Sequence, residues 1–325
     1  MNHTARAPEG RSDVKPLLVV NPTSGGGATG RTFGAMKETI ERVLGPVDVA
    51  MTERAGHGLE LAREGAIAGR SLVIAVGGDG TFHEVVNGLM QAQEGKSSSA
   101  EATRIGMIAQ GTGGDFRKAL GLEHRLDRYL EALASGRERP LDLGKFTGGG
   151  KSGHYFVNIL SAGMGGLVDR YVAESSRMLG GTAAYFGASL RALLNARLGN
   201  VIATVTHQGK TEEHKIRSFM IAICNGRYFG GGMHVAPMAK VDDGVLELVA
   251  LGATSKLGFA MTSRGIYTGS HIGQASTVHL RGEKIVLDLA NEDARDVYLL
   301  DVDGEPMGGL PLTVEVVPKA LMLRG

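Results

Sequence analysis

A glycine-rich turn with one embedded acid is the stretch of this chain whose residues could do chemistry. The turn Gly77-Gly78-Asp79-Gly80-Thr81 follows five apolar residues, Leu72–Val76, which predict a buried strand, and a helix is predicted to begin near Thr81. Glycine lets the backbone approach a ligand closely, and N–H groups at a helix start attract anions. Asp79 would repel a phosphate unless a cation or a donated proton lay between them. The turn therefore indicates a nucleotide-phosphate site with a divalent cation. The alternative is an ordinary strand-to-helix turn with Asp79 as the helix N-cap.

Two further Gly-rich turns follow predicted strands in the first half of the chain. The strand Leu17–Val20 ends in Asn21-Pro22-Thr23-Ser24-Gly25-Gly26-Gly27, and the strand Ile105–Ile108 runs into Gln110-Gly111-Thr112-Gly113-Gly114-Asp115-Phe116. Ligands of parallel sheets bind at the carboxyl ends of the strands. The three turns are therefore expected to converge on one crevice.

The first of these turns also matches a dinucleotide-binding pattern. Gly25, Gly27 and Gly30 fit G-x-G-x-x-G, and Glu53 lies at about the 20-residue spacing expected for a ribose-binding acid. However, Asn-Pro-Thr-Ser separates the strand from the glycines, and the Gly-Lys-Ser/Thr ending of a P-loop is missing. We favour a Ser- and Gly-rich loop for nucleotide phosphates.

The order of predicted elements divides the chain into two domains after a disordered start at residues 1–14. In residues 15–140 strands alternate with helices, which predicts an α/β domain with a doubly wound parallel sheet. In residues 141–325 many short strands surround two helical stretches, Thr182–Leu198 and Ser255–Thr268, which predicts a mostly antiparallel β-sandwich or a partly closed barrel. The boundary is predicted near Pro140–Asp142. The predicted strands are Tyr155–Leu160, Val201–His207, Arg217–Cys224, Val245–Val249, Ser276–Leu280, Lys284–Leu289, Val297–Leu300 and Leu312–Val317.

The composition is that of a globular chain without a strong charge bias. Of its 325 residues, 42% are hydrophobic, and the formal net charge of +1 does not favour binding to nucleic acid. A single cysteine, Cys224, excludes an internal disulfide. No apolar run reaches the roughly 18 residues of a membrane span, and the first residues lack the apolar core of a secretory signal. We expect a soluble cytoplasmic protein without a transmembrane segment.

Motifs in the second half complete a set that resembles a known family. The run Asn225-Gly226-Arg227-Tyr228-Phe229-Gly230-Gly231-Gly232-Met233 is followed by Asp242-Asp243-Gly244-Val245-Leu246 and later by Asp303-Gly304-Glu305. With the three turns, they occur in the order seen in the diacylglycerol kinase catalytic family. This group of lipid kinases includes sphingosine and ceramide kinases and compact bacterial members. The resemblance covers roughly Leu17 to Leu323, whereas GGDGT alone is shared with NAD kinases and phosphofructokinases.

The resemblance implies an ATP-binding domain, a sandwich domain and an active site in the cleft between them. It implies Mg²⁺-dependent transfer of the γ-phosphoryl group of ATP to the hydroxyl of diacylglycerol or a related long-chain lipid alcohol. Asp303 matches the acid usually assigned as general base, and Glu305 would help to place metal or base. Asp79 would lie near Mg²⁺, while Asp242 and Asp243 match a loop that binds a second, structural Mg²⁺ in some bacterial relatives. The positions that would hold ATP are Asn21, Ser24, Gly25, Gly77, Gly78, Gly80, Thr81, Gly111, Thr112 and Asp115.

The sequence departs from the family pattern at two places. Relatives usually carry Asn-Asp in the third turn, where this chain has Gly114-Asp115, and basic residues often occur in the first turn, where this chain leaves the charge to Arg31 or to a residue elsewhere. Either change could weaken ATP binding. Asp-Gly is also a common hairpin turn, so a purely structural role stays open for Asp303 and for Asp242-Asp243. His83 and Glu84 are interpreted as capping or surface residues, with a family role near the lipid as the alternative.

A lipid substrate implies peripheral contact with a membrane surface, and a homodimer stays open. The apolar segments Met164–Val168 and Met178–Phe186 are candidates for a membrane-facing surface, with buried packing as the alternative. Arginines that could attract anionic headgroups, or simply form a solvated face, are Arg170, Arg177, Arg191 and Arg197.

Three other functions stay open. A kinase for a soluble acceptor such as NAD shares GGDGT but is disfavoured by the Asn225–Leu246 run. A catalytically silent nucleotide- or lipid-binding homologue is suggested by Gly114 and disfavoured by the presence of both Asp79 and Asp303. A dinucleotide oxidoreductase is the least favoured.

Overall fold

The computed structural model describes residues 14–94, 102–111, 113–174, 181–252 and 255–325, so the predicted disordered start lies, apart from Val14, outside the described residues. The first part is a parallel sheet with strand order β2-β1-β3-β4. Every residue of β1 and β3 is buried, which in a parallel sheet requires cover on both faces. The elements are β1 (Leu17–Val20), α1 (Ala28–Leu44), β2 (Asp48–Met51), α2 (His57–Ile67), β3 (Leu72–Gly77), α3 (Asp79–Gln93), β4 (Arg104–Ala109), α4 (Asp115–Ala119) and α5 (Leu126–Ala134).

The second part contains two antiparallel sheets. One has the order β12-β11-β10-β7-β14-β15, and the other joins β16, β13, β8 and β9 with β5 and β6. The elements are β5 (Glu138–Gly148), β6 (Lys151–Phe156), β7 (Ile159–Gly163), α6 (Met164–Glu174), α7 (Gly181–Asn195), β8 (Gly199–His207), β9 (Lys210–Ser218), β10 (Met220–Cys224), β11 (Leu246–Leu251), α8 (Lys256–Thr262), β12 (Thr277–Gly282), β13 (Lys284–Leu289), β14 (Leu299–Val302), β15 (Glu305–Gly309) and β16 (Leu312–Arg324), with 3₁₀ helices at Ser263–Thr268 and Glu292–Ala294.

The two sheets of the second part pack face to face around one apolar core. Ile223 and Leu300 of the first sheet and Ile285 and Val314 of the second belong to the same cluster of buried side chains. This is the arrangement of a β-sandwich. The predicted fold class, a parallel-sheet α/β domain followed by a β-sandwich, is confirmed.

Strand β16 connects the two parts. Near its end Leu323 pairs in parallel with Ile105 of β4, and at its start Leu312 pairs antiparallel with Gly148 of β5. One continuous sheet therefore runs from the parallel domain into the sandwich. The predicted domain boundary near Pro140 falls inside β5, and a boundary at that point stays a prediction.

Two stretches predicted as single strands are each divided in the structure. Tyr155–Leu160 breaks at Val157-Asn158, between β6 and β7, because backbone N–H groups there bind a side chain instead of a neighbouring strand. Arg217–Cys224 breaks at Phe219, where the chain passes from one sheet of the sandwich to the other. The sequence analysis predicted neither break, although Asn158, a residue type depleted in strands, lies at the first one.

Within the described part of the chain, no helix is both long and apolar enough to cross a bilayer.

Candidate active site

The three Gly-rich turns meet at the carboxyl edge of the parallel sheet, as predicted. The Ser24 hydroxyl accepts a hydrogen bond from the Gly78 N–H at 3.2 Å, and the Asn21 side-chain amide donates to the Thr81 hydroxyl at 3.2 Å. The Gln110 N–H donates to the Gly77 carbonyl at 2.7 Å. These bonds tie the first and third turns to the central one. Thr112, the remaining predicted ATP contact of the third turn, lies outside the described residues.

Close backbone packing explains why Gly111 and Gly25 are glycines, whereas Gly80 faces open space. A Cβ on Gly111 would lie 2.7 Å from the Gly78 Cα, and a Cβ on Gly25, whose φ is +60°, would lie 2.8 Å from the Gln110 carbonyl oxygen. A Cβ on Gly80 would meet no atom within 4 Å. The turns are therefore pressed together behind an open side on which a ligand can lie against the backbone.

Asp79 is the first residue of α3, and Gly78 is the N-cap, so the alternative in which Asp79 caps the helix is wrong. Its Oδ2 accepts a hydrogen bond from the Asp115 N–H at 3.2 Å. Burial raises the pKa of Asp79, and the charges of Asp115 and Asp303 raise it further. An acid in this setting is stabilised in its ionised form by a nearby cation.

Asp115 connects the third turn to the second domain. Its Oδ2 accepts a hydrogen bond from the Gly231 N–H at 2.7 Å, and its Oδ1 accepts one from the Lys118 ammonium at 2.8 Å. Gly114 precedes it with φ +58°, a left-handed conformation that favours glycine and tolerates asparagine. Sequence reasoning missed Lys118, although its position three residues after Asp115 on one helix turn was a readable signal.

Asp303 lies in the turn between β14 and β15 with φ +52°. Its Oδ1 accepts hydrogen bonds from the N–H groups of Asn158 at 2.9 Å and Ile159 at 3.0 Å. Its Oδ2 accepts one from the Val157 N–H at 2.7 Å and one from His83 Nδ1 at 2.9 Å. A carboxylate offers about four acceptor positions, and all four are therefore in use. This bonding is the cause of the break between β6 and β7.

His83 reaches this carboxylate from α3, in the other domain. Both side chains are almost inaccessible, at 6% and 4% exposure. Burial lowers the pKa of His83, but the hydrogen bond and charge of Asp303, with the charges of Glu305 and Glu84, outweigh it and raise the pKa above its ordinary value. The interpretation of His83 as a capping or surface residue is therefore wrong, since it links the two domains.

Two neighbours of His83 hold α3 in place. Asn87 donates from its side-chain amide to the Tyr155 carbonyl at 2.9 Å and accepts from the Tyr155 N–H at 3.0 Å, a second link between the domains. Glu84 accepts hydrogen bonds from the N–H groups of Gly56 and Gly58 at 2.7 and 2.8 Å, at the start of α2. Glu84 thus caps a helix, as interpreted from the sequence.

Glu305 lies two residues beyond Asp303, at the start of β15, and is half-buried. In contrast to Asp303, its carboxylate has no hydrogen-bond or ion-pair partner among the residues that the structure describes. It is therefore the unengaged acid of this turn.

The predicted second metal site lies on the loop before β11. The Asp243 carboxylate faces Arg281 at 3.4 Å, and the wholly buried Asp142 holds the loop by accepting the N–H groups of Gly244 and Lys319, each at 2.6 Å. Burial raises the pKa of Asp243. No group of three or more His, Cys, Asp or Glu side chains that could hold a metal occurs in the described part of the chain. A metal at Asp242 and Asp243 stays a prediction.

The site thus joins an α/β unit with converging Gly-rich turns to a β-sandwich that contributes acidic residues. A family model described as the diacylglycerol kinase catalytic domain matches residues 15–146, and one described as the YegS C-terminal NAD kinase beta sandwich-like domain matches residues 158–324. The chain belongs to the diacylglycerol kinase family of lipid kinases, and it is an enzyme that transfers a phosphoryl group to an alcohol.

Individual relatives are similar over most of their length. A diacylglycerol kinase of Bacillus subtilis (strain 168) is 26% identical over 295 residues, 90% of either chain. A Pseudomonas aeruginosa protein (strain PAO1) named "probable lipid kinase YegS-like" is 30% identical over 308 residues, 94% of this chain and 93% of its own. A solved structure described as a diacylglycerol kinase of Bacillus anthracis (strain Sterne) shares the fold, with a TM-score of 0.67 at 20% identity over 95% of this chain and 96% of that one.

Proposed function

We propose that this protein uses ATP and Mg²⁺ to phosphorylate the hydroxyl of diacylglycerol or a related long-chain lipid alcohol, at the junction of its two domains and beside a membrane surface. The proposal is carried by one observation. The buried pair His83–Asp303, at 2.9 Å, joins the helix that follows the Gly-rich turn to the acidic turn of the sandwich. A phosphate donor held by the Gly-rich turn would thus lie beside an acid of the sandwich domain.

The chain offers a fitting cradle for the nucleotide. Gly25 and Gly111 allow a backbone packing that a Cβ would block, and the open side of Gly80 leaves room for phosphates. Asp79 would hold Mg²⁺, since burial and the charges of Asp115 and Asp303 raise its pKa and a bound cation would favour its ionised form. The bound metal would neutralise phosphate charge during transfer.

Lys118 supplies the cation that the first turn lacks. Arg31 contacts the Gly26 carbonyl at 3.4 Å on the exposed side of that turn. Lys118 instead lies on Asp115 between the third turn and the sandwich, and its charge acts on Asp79. We assign to Lys118 the neutralisation of the transferred phosphoryl group.

The hydrogen bonding of the two sandwich acids supports different roles for them. Asp303 was predicted as the general base, but its four acceptor positions are engaged, so it holds the turn and orients His83. Glu305 is unengaged and is therefore the better acceptor for the proton of the lipid hydroxyl. A base must come within about 3 Å of the proton that it removes, so the proposal requires the lipid hydroxyl to bind next to Glu305.

The test is transfer of label from [γ-³²P]ATP to a panel of acceptors: dioleoylglycerol, ceramide, sphingosine and, as a soluble acceptor, NAD. We expect a labelled phospholipid that disappears with EDTA and with Asp79→Asn. Label on NAD but on no lipid would replace the proposal with a soluble-acceptor kinase. Absence of label from every acceptor, with ATP bound, would identify a silent homologue.

A further inference from the structure

The outer face of α7 carries apolar side chains where a surface helix is normally polar. Its inner side packs Ala188 and Ala192 against α6. On the side turned away, Leu190 and Leu194 are one helical turn apart and are 51% and 66% exposed. An amphipathic helix places polar residues there.

A third exposed leucine lies on the neighbouring helix α8. Lys256, the first residue of α8, donates from its ammonium to the Leu194 carbonyl, which brings the start of α8 against the end of α7. The next residue, Leu257, is 72% exposed. Contiguous exposed apolar side chains mark interaction surfaces, whereas isolated ones do not.

Cations line a groove at the point where α7 ends and α8 begins. A groove of about 500 Å³ between α7, β9 and α8 is lined by Arg197, Arg217 and Lys256, and its one acidic lining residue is Asp293. The guanidinium of Arg217 is exposed and has no hydrogen-bond or ion-pair partner among the described residues. This local excess of positive charge contrasts with the +1 of the whole chain. We call the three leucines and the three cations the α7–α8 patch.

Arg197 retains donors for a ligand. Its Nη1 contacts the Asp293 carbonyl and the Asp296 carboxylate, the latter at 3.2 Å, while its side chain is 52% exposed. A guanidinium has five N–H donors, so these contacts leave others for a phosphate.

We infer that the α7–α8 patch docks the protein on an anionic bilayer, with its leucines in the headgroup boundary and its cations on lipid phosphates. Exposed apolar side chains next to Lys and Arg are the combination by which peripheral proteins bind anionic membranes. A second copy of the chain fits less well, because a two-fold interface would bring the same three cations towards each other. The inference rests on the proposed function for its purpose, since the acceptor lies in a bilayer.

The position of the patch in the fold agrees with that purpose. Helix α7 packs on α6, and α6 packs on β14 and β15, the strands joined by the turn that carries Asp303. The docking surface and the proposed proton acceptor therefore belong to one packed unit. Neither depends on residues of the other.

The test is sedimentation of the full-length protein with vesicles of phosphatidylcholine alone or of phosphatidylcholine and phosphatidylglycerol in equal parts. We expect binding to the anionic vesicles, reduced about tenfold or more by Arg217→Glu and by Leu194→Glu. The matched controls are on α2 of the other domain: Arg63→Glu, at an exposed arginine, and Ile67→Glu, at a side chain as exposed as Leu194. The controls should bind like the wild type.

Activity separates docking from catalysis. The patch variants should phosphorylate the water-soluble dioctanoylglycerol at the wild-type rate and lose activity towards dioleoylglycerol in anionic vesicles. Equal vesicle binding by wild type and patch variants, or no binding by the wild type, would overturn the inference. So would a wild-type dimer that Leu194→Glu converts to monomer. Patch-dependent vesicle binding by a protein inactive on every lipid would support the docking surface and reject the proposed function.

Discussion

The two sides of the active site are constructed in opposite ways. On the first domain, turns approach each other backbone to backbone, and the open side of Gly80 is left without a packing partner. On the second, the Asp303 carboxylate accepts four hydrogen bonds and is almost inaccessible. The first side is shaped to receive a ligand, whereas the second is shaped to hold one acid still and leave its neighbour Glu305 free. Under the proposed function, Glu305 rather than Asp303 accepts the proton of the lipid hydroxyl.

The largest expected effect separates these two acids. Glu305→Gln keeps the size of the side chain but removes the proton acceptor, so kcat should fall about a hundredfold or more. Because Glu305 has no described partner, the free energy of unfolding should hardly change. Steady-state kinetics and urea denaturation measure the two quantities. Wild-type turnover by this variant would exclude Glu305 as the base.

Asp303→Asn should act mainly on stability. An amide has one acceptor oxygen and cannot satisfy three backbone N–H groups and His83, so the free energy of unfolding should fall by about 3 kcal/mol. Asp127→Asn, at a carboxylate 49% exposed, is the control and should change it little. A hundredfold loss of kcat without loss of stability would instead restore Asp303 as the general base predicted from the sequence.

The stabilisation that the His83–Asp303 pair gives to the folded protein should decrease as pH rises. A raised His83 pKa means that the folded state favours the protonated ring, so the stabilisation is complete below the unfolded value of about 6.5 and is lost as pH rises through the folded value. The stability difference between wild type and His83→Gln should therefore be largest at low pH and shrink with increasing pH. Denaturation curves from about pH 6 to about pH 9 measure it. A constant difference would show that the ring stays in one protonation state.

The smallest effect is expected at Gly114. Its left-handed conformation accepts asparagine, and a Cβ there would lie 3.0 Å from Arg117 Nε, which would have to move by a few tenths of an ångström. Gly114→Asn should change stability by less than about 1 kcal/mol and lower the KM for ATP if this turn limits nucleotide binding. An unchanged KM, from initial rates at varied ATP, would show that other residues compensate.

Local sequence patterns predicted the part of the candidate site on the α/β domain better than the part on the β-sandwich domain. A short apolar strand, a glycine turn and an acid lie within Leu72–Thr81, so their chemistry is readable in one window, and the convergence of the three turns follows from parallel pairing. The pair His83–Asp303 joins residues 220 positions apart, and nothing near either residue indicates the other. The same holds for the break at Val157-Asn158, whose cause is the distant Asp303. Asp303 and Glu305 have the same number of acceptor positions. What distinguishes them is how many of these positions are occupied, and that is decided only when the chain folds.

Strand β16 has a consequence for how the protein is made. The edge of β4 in the parallel domain pairs with Leu323, so during synthesis that edge stays open until almost the whole described chain has left the ribosome. Unpaired strand edges invite association with other chains, and pairing over such sequence distances is slow. Expression of the parallel domain alone, ending before β5, is therefore expected to yield an aggregation-prone fragment.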